Sequence, residues 1–233
     1  MRNKLVAALC AALIVMSCSR VEHVDVLVVG GGASGMMASI FASRNGFKTL
    51  VLDHNEKLGK KLYITGKGKC NLTNNSSIEN HLNHIVTNSK FMYSALNAFS
   101  PQDTMEFFED NGLKLRTERG NRVFPNSDKS SDVIKTLEKT MQAYGVVVSL
   151  NNEIVEVKKD KDIFTILCNN KIKYTTNRLI IATGGVSYSG TGATGLTNAF
   201  SATGMLIIVS VALEFNKQLE AQVMMKNYRG FLK

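Results

Sequence analysis

The chain has 233 residues, with 28 Lys and Arg against 19 Asp and Glu, which gives a formal net charge of +9. A hydrophobic content of 44% with only 2 Pro and 4 Cys excludes collagen-like repeats, Pro-rich disorder and a disulfide-dense scaffold. The positive charge favours anionic ligands. Because the basic residues form no stripe with interleaved aromatic residues, the sequence does not indicate a nucleic-acid partner.

The first 18 residues have the order of a signal peptide. Two basic residues precede the apolar stretch 5–16, and a small-residue exit follows it. Residues 15–18 resemble the box of bacterial lipoproteins, in which the cysteine becomes the lipidated first residue. We therefore expect lipidation at Cys18 and a membrane-anchored protein of the cell envelope. The alternative is that Met16 is the true start of a cytoplasmic protein.

Residues 25–53 predict a βαβ unit. The apolar, β-branched run 25–29 is typical of a strand buried on both faces, as parallel sheets require. A helix is expected over 36–45, where Asn45-Gly46 ends it, and a second strand over 48–53. The unit has the length expected of two parallel strands with a crossover helix.

The rest of the chain predicts an α/β fold, with a parallel sheet and a β-meander. Residues 57–73 have no periodicity and are expected to form a loop. Ser100 and Pro101 open a helix, and a Gly120-Asn121 turn indicates a hairpin. Further elements are a helix over 130–144, meander strands over 146–150, 153–158, 163–168 and 171–175, and a buried strand over 178–182.

The glycines in this βαβ unit match a dinucleotide fingerprint. Gly30 allows a tight turn, Gly32 lets the backbone approach a pyrophosphate, and Gly35 lets helix pack on strand. Asp53 lies 18 residues after Gly35, where an acid could accept a hydrogen bond from a ribose hydroxyl. The alternative is a glycine-rich turn that binds no ligand.

A second segment, residues 58–74, alternates glycines with lysines. Its amides and ammonium groups could surround an anion, while the alternative is a mobile basic loop. Cys70 and Cys168 are the cysteines outside the leader, and their spacing indicates neither a disulfide nor a metal site.

Three motifs together resemble a bacterial flavoprotein family. Residues 59–74 resemble its signature GKKLLITGGGRCNLTN, residues 122–133 are similar to its GRVFPxSDKASDV, and residues 181–188 resemble its ATGGKSYP. The family comprises NAD(P)/FAD-dependent oxidoreductases, which include aminoacetone-oxidase-like flavoproteins and bile-acid-type reductases, with a glutathione-reductase-like FAD fold. The resemblance implies FAD as the cofactor and NAD(P)H or a small organic molecule as the other party in hydride transfer.

The resemblance also implies a set of cofactor contacts. The pyrophosphate would lie at the glycine fingerprint, the adenosine ribose at Asp53, adenine near Val155, and the flavin side at the Gly/Lys segment. Cys70 is interpreted there as a packing residue, since no partner cysteine lies near it. The residues implied are Gly30, Gly32, Ala33, Ser34, Gly35, Asp53, Lys61, Thr65, Gly66, Gly68, Lys69, Cys70, Asn71, Val155, Thr183 and Gly184.

The sequence departs from the family in its loop 191–197, which lacks the Asp-Gly of the family's TGSTGDG. Family members are longer, so we expect a leader over 1–18, an FAD-binding domain over 24–203 with an insertion around 80–145, and the start of an incomplete second domain over 204–233. No cluster of side chains identifies a general acid or base. The expected function is therefore an FAD-dependent oxidoreductase of unknown substrate. The alternative is a non-catalytic dinucleotide-binding remnant tethered to a membrane, whereas the flavin-type motifs disfavour an NAD-binding dehydrogenase domain.

Overall fold

The computed structural model describes residues 21–183. The predicted signal peptide and every predicted element after residue 183 lie outside these residues. Within them, nine strands form two sheets. The strands are β1 (Val21–Val29), β2 (Thr49–Leu52), β3 (Thr73–Asn74), β4 (Leu115–Glu118), β5 (Arg122–Pro125), β6 (Val147–Ser149), β7 (Ile154–Asp160), β8 (Ile163–Cys168) and β9 (Lys173–Ile181).

The larger sheet has six strands in the order β6-β2-β1-β9-β8-β7. The first four are parallel to one another, whereas β8 pairs antiparallel with both β9 and β7. The predicted α/β class with a mostly parallel sheet is therefore confirmed. The smaller sheet contains β3, β5 and β4, paired antiparallel, and includes the predicted hairpin around Gly120-Asn121.

Two long helices cover one face of the large sheet. The described helices are α1 (Ala33–Arg44), α2 (Lys60–Ile64), α3 (Ile78–Asn83), α4 (Tyr93–Ala98), α5 (Pro101–Asp110) and α6 (Ser130–Ala143), with 3₁₀ turns at Thr65–Gly68 and Ser89–Met92. Helix α1 packs on β1 and β2, and helix α6 packs on α1. Side chains of both helices share one buried cluster with Val26, Val28 and Val51. Within residues 21–183, none of these helices is long and apolar enough to cross a membrane.

The antiparallel strands contribute to a second core on the other face. Leu27, Leu50 and Leu52 point to this face and are buried together with Ile166 and Tyr174 of the meander. Strand side chains alternate between faces, so β1 supplies Val26 and Val28 to the helical layer and Leu27 to the opposite layer. This arrangement explains the nearly continuous apolar sequence of β1 and β2, since both faces of these strands are buried.

The helix that Ser100 opens has a complete capping box. The Ser100 hydroxyl accepts from the Asp103 amide at 3.1 Å, while the Asp103 carboxylate accepts from the Ser100 amide at 2.7 Å. Pro101 occupies the first turn, where its missing N–H has no cost. The predicted start and end of this helix are confirmed, because its signals are local in sequence.

Three predictions about secondary structure were wrong. Strand 146–150 does not belong to the meander, because β6 pairs in parallel with β2 at the edge of the main sheet. The predicted strands 171–175 and 178–182 are one strand, β9, which pairs with β1 along its length. The Thr176 hydroxyl lies 3.0 Å from the carbonyl oxygens of Asp25 and Arg178 and can donate to either of them. The segment 57–73 is not a loop throughout, since it contains α2 and a 3₁₀ turn that non-periodic sequence did not reveal.

Candidate dinucleotide-binding site

The carboxyl ends of the parallel strands meet at one edge of the sheet. Backbone hydrogen bonds connect the residues just past these ends: Gly30 N donates to Leu52 O at 2.8 Å, Asp53 N to Ser149 O at 3.1 Å, and Ala182 N to Val29 O at 2.8 Å. The first crossover runs from β1 to β2 on one side, whereas β9 lies on the other side of β1. This reversal is a topological switch point, where open α/β sheets bind ligands.

Two of the three fingerprint glycines are required by the packing of the chain itself. A Cβ at Gly35 would lie 1.8 Å from the carbonyl oxygen of Gly30, so helix α1 could not approach the end of β1. Gly30 has φ +106, and a Cβ there would lie 2.4 Å from the carbonyl oxygen of Ala182. Both glycines are therefore explained by the close contact of strand, turn and helix, whether or not a ligand binds.

Gly32 differs from them, because nothing in the described protein requires it to be glycine. Its backbone angles, φ −77 and ψ −177, are open to any residue, and a Cβ there would meet no atom of residues 21–183 within 4 Å. The space beside Gly32 is thus left open at the start of helix α1. In the dinucleotide fingerprint, the glycine at this position lets the backbone approach a pyrophosphate.

The first turn of helix α1 is suited to an anion. Gly32 is its N-cap residue, and among the described residues no side chain caps the helix and no acid lies in its first turn. The first amides of a helix lack intrahelical acceptors and carry a partial positive charge. The amides that follow Gly32, at Ala33, Ser34 and Gly35, are positioned to bind a phosphate group.

Asp53 lies next to this turn, at the end of β2. Its side chain is buried, and the residue is only 8% exposed. One carboxylate oxygen accepts from the Gly31 amide at 2.5 Å, and the other accepts from the backbone and side-chain amides of Asn55, each at 2.8 Å. Asp53 therefore ties the glycine turn to the end of β2. A carboxylate oxygen accepts more than one hydrogen bond, so these contacts do not use all the acceptor capacity of Asp53.

Asn152 is a residue of this edge that the sequence analysis missed. Its amide donates to the Asp53 carbonyl at 3.0 Å, and its buried side chain donates to Ser149 Oγ at 2.7 Å and Leu150 O at 2.8 Å. It also accepts from the side chain of Asn170. Asn151 and Asn152 follow a β-rich run, and a pair of asparagines at such a place is typical of a side-chain-stabilised turn. Val155 follows three residues later on β7, where its side chain is exposed.

The Gly/Lys segment packs directly on the glycine fingerprint. Gly59 N donates to Gly31 O at 2.8 Å, and the side chain of Leu58 lies where a Cβ of Gly31 would be. On its other side, Gly59 is close to Ile134 of helix α6. The two motifs, about 25 residues apart in sequence, therefore form one continuous surface.

Residues 65–71 form a tight turn that follows helix α2. Gly66, Lys67, Gly68 and Cys70 all have positive φ, between +57 and +87. Cys70 N donates to Thr65 O at 3.2 Å across the turn. The expected contact residues Lys61, Gly66, Lys69 and Asn71 are exposed, and Thr65 and Gly68 are half-buried.

Two contacts attach this turn to the hairpin of the motif at 122–133. The Leu72 amide donates to Val123 O at 2.9 Å. With its amide nitrogen facing the hairpin, the Asn71 side chain donates to Val123 O and Thr73 O, each at 3.0 Å. Ser130, at the start of helix α6, donates from its hydroxyl to Tyr63 O at 2.8 Å. The motifs around 59–74 and 122–133 are therefore parts of one assembly.

Cys70 has the environment of a structural cysteine. Its side chain is fully buried, and burial raises the pKa of the thiol to about 11. The thiol therefore stays protonated at neutral pH, where the thiolate is the nucleophilic form. This agrees with the interpretation of Cys70 as a packing residue. Within residues 21–183, no group of three or more His, Cys, Asp and Glu side chains could hold a metal ion.

The end of β9 places Thr183 beside the glycine fingerprint. The Cα of Thr183 would lie 3.1 Å from a Cβ at Gly30, so the ATGG segment begins at the switch point. Gly184, the next expected contact, lies outside the described residues, as does Cys18. Among the described candidates, the structure thus groups the glycines, Asp53 and Thr183 at one edge, with the 65–71 turn connected to it through Gly59.

This edge, with its open glycine at a helix start and its acid after β2, defines a Rossmann-type dinucleotide-binding domain. Residues 24–224 match the model of a family described as HI0933-like protein Rossmann domain, and the chain belongs to this family. The resemblance to a flavoprotein family that the three motifs indicated is thereby confirmed.

Curated relatives share most of this chain. It is 31% identical over 170 residues to the 3-dehydro-bile acid delta(4,6)-reductase of Clostridium scindens, covering 72% of this chain and 41% of the relative. It is 30% identical over 172 residues to the ribosomal RNA dihydrouridine synthase of Escherichia coli, covering 74% of this chain and 42% of that protein. The chain thus spans about two fifths of the length of these relatives.

Solved structures with a similar fold include the open form of a flavocytochrome c3 fumarate reductase. It has a TM-score of 0.48 and 21% identity, and the match covers 79% of this chain and 36% of that one. The 3-ketosteroid-delta4-(5alpha)-dehydrogenase of Rhodococcus jostii RHA1 has a TM-score of 0.47 and 16% identity, with 73% and 48% covered.

Proposed function

We propose that this chain binds FAD at the edge described above and forms the dinucleotide-binding part of an FAD-dependent oxidoreductase. The observation that carries the proposal is Gly32. Its conformation is open to other residues and the described atoms leave room for a Cβ, yet it is the glycine at which the backbone would approach a pyrophosphate. Family membership and the Gly/Lys and ATGG motifs favour FAD over a nicotinamide dinucleotide as the resident cofactor.

In the proposed complex, different described residues contact different parts of FAD. The amides of Ala33 and Ser34 donate to the pyrophosphate, and the dipole of helix α1 stabilises its charge. Asp53 accepts from the adenosine ribose while it holds the glycine turn in place through Gly31. The 65–71 turn lies on the flavin side. Bound flavin supplies hydride transfer, which side chains alone do not provide.

The names of the relatives support a reduction of carbon–carbon double bonds. One name denotes a delta(4,6)-reductase and the other a dihydrouridine synthase, and both products carry more hydrogen than their precursors. We propose that the whole protein reduces a double bond next to a carbonyl group, with NADH or NADPH as the hydride donor. The two relatives act on very different molecules, so the substrate itself is not proposed.

The test is the cofactor content and preference of the purified full chain. We expect FAD to bind more tightly than FMN or NAD⁺, because the fingerprint recognises a pyrophosphate and Asp53 an adenosine ribose. Equilibrium titration followed by flavin fluorescence measures the affinities for FAD and FMN, and titration calorimetry measures the affinity for NAD⁺. Equal or weaker binding of FAD relative to NAD⁺ would contradict the proposal.

A further inference from the structure

Four charged side chains form a network beside the 65–71 turn, which we call the Asp128 brace. It consists of Lys69 in the turn, Arg116 and Glu118 on β4, and Asp128 just before helix α6. Arg116 donates to one oxygen of Asp128 at 2.5 Å and to Glu118 at 2.7 Å. The ammonium group of Lys69 lies 3.4 Å from the other oxygen of Asp128.

The brace is itself held firmly by the hairpin. Arg116 also donates to the Asn126 carbonyl at 3.1 Å, and the Asp128 amide donates to Pro125 O at 3.0 Å. The Arg116 guanidinium holds the pKa of the Asp128 carboxyl below its usual range, so the carboxylate stays charged at neutral pH. Asp128 thus presents a fixed negative charge to Lys69.

The turn that receives this charge is attached to the hairpin at its Asn71 end, whereas the exposed Lys69 side chain is held by its ion pair with Asp128. Several of its residues have left-handed backbone conformations, and a Cβ at Gly68 would meet no atom within 4 Å. Lys69 and Lys67 are exposed. The ion pair with Asp128, which belongs to the motif at 122–133, therefore holds Lys69 in position.

We propose that Asp128 is a positioning residue for the flavin side of the site: through Lys69 it holds the 65–71 turn in the conformation that receives the cofactor. The expected effect on cofactor binding rests on the proposed function. The expected effect on the turn does not, because the order of the turn is measurable without FAD. Exposed ion pairs contribute little to global stability. The brace therefore acts on local order and cofactor affinity rather than on folding.

Asp128→Asn is the sharpest test. Asp128 has φ +58, a conformation that Asn tolerates well, so the change removes the charge and keeps the backbone. We expect faster hydrogen exchange of the amides of residues 66–71 in the protein without added FAD, and about fivefold weaker FAD binding. The thermal midpoint without FAD should stay within about 3 °C.

Two further variants separate the brace from a general charge effect. Lys69→Met should weaken FAD binding itself and should remove the effect of Asp128→Asn, because Asp128 acts through Lys69. Glu156→Gln is the control: it breaks the exposed Glu156–Lys158 pair at 2.9 Å on β7, and we expect no change in the turn or in FAD affinity.

Unchanged exchange in residues 66–71 of Asp128→Asn would overturn the proposal, whatever the protein does with FAD. Tighter FAD binding by that variant would also overturn it, since Asp128 would then compete with the cofactor for Lys69. Faster exchange in Asp128→Asn than in wild type, together with a wild-type protein that binds no FAD, would support the brace and reject the proposed cofactor. The two failures are therefore distinguishable.

Discussion

Gly32→Val tests whether the open space at the start of helix α1 belongs to a ligand. The backbone at Gly32 is extended in ψ, with φ −77, so a β-branched residue fits without strain. No described atom lies within 4 Å of the new Cβ. Replacing glycine lowers the conformational entropy of the unfolded chain, which stabilises the folded state by about 0.4–1 kcal/mol. Loss of the N-cap glycine destabilises helix α1 by a similar amount. We therefore expect the unfolding free energy without cofactor to change by less than about 1 kcal/mol.

The effect on FAD binding should be far larger. A valine at this position would occupy the space beside the amides of Ala33 and Ser34. If two charge-assisted hydrogen bonds to the pyrophosphate are lost, at about 1.5 kcal/mol each, binding weakens by about 3 kcal/mol. That loss corresponds to more than a hundredfold increase in Kd. Gly32→Ala should fall between wild type and Gly32→Val, because its side chain fills less of the space.

The assay combines a fluorescence titration with FAD and a thermal melt of each protein without FAD. The expected result is a folded variant that has lost its cofactor. Wild-type affinity in Gly32→Val would refute the reasoning, since the pyrophosphate would then not approach this backbone. A variant that fails to fold would contradict the structural part, because the described residues leave room for the side chain.

Three more changes probe the surrounding structure. Gly35→Ala should lower the unfolding free energy by about 3 kcal/mol or prevent folding, since its Cβ would lie 1.8 Å from Gly30 O. Urea denaturation measures the unfolding free energy. A variant as stable as wild type would contradict the close contact. Ser100→Ala removes the capping box and should cost about 1 kcal/mol in the same assay, whereas no loss would show that the cap is dispensable. Burial raises the pKa of the Cys70 thiol to about 11 from an unfolded value near 9.0, so the unfolded state loses this proton first as pH rises. The unfolding free energy of the wild type should therefore fall by about 2 kcal/mol more than that of Cys70→Ala between pH 9 and 11, and parallel pH profiles would contradict the assignment.

Elements with local signals were predictable from the sequence. The helix that begins at Pro101 carries its own cap, and the fingerprint glycines mark both the end of β1 and the start of α1. The pairing of distant strands was not predictable in the same way. Residues 146–150 have the composition of any β-strand, and nothing in them distinguishes a meander from a parallel edge strand such as β6. That choice depends on the crossover through helix α6, which is a property of the whole fold.

The site was predictable as a set of residue types, but not as a geometry. Spacing placed Asp53 at the end of β2, although it could not show that the carboxylate also accepts from Gly31 and Asn55. The asparagine pair at 151–152 indicates a turn, but the hydrogen bond from Asn152 to Asp53 forms only where the chain returns to the sheet edge. Hydrogen bonds between distant segments have no period and no spacing rule, so they appear only once the fold is known.

The contacts between motifs explain why they occur together in one chain. Gly31 has no side chain, which leaves room for Leu58, and its carbonyl accepts from Gly59. Gly59 in turn packs against Ile134 of α6. Contacts therefore run from the glycine turn through the Gly/Lys segment to the helix that follows the motif at 122–133. A larger residue at Gly31 would displace Leu58 and with it the start of helix α2. Two glycines of the turn therefore have different roles. Gly32 leaves space for a ligand, whereas Gly31 sets the position of the segment that faces the flavin in the proposed complex.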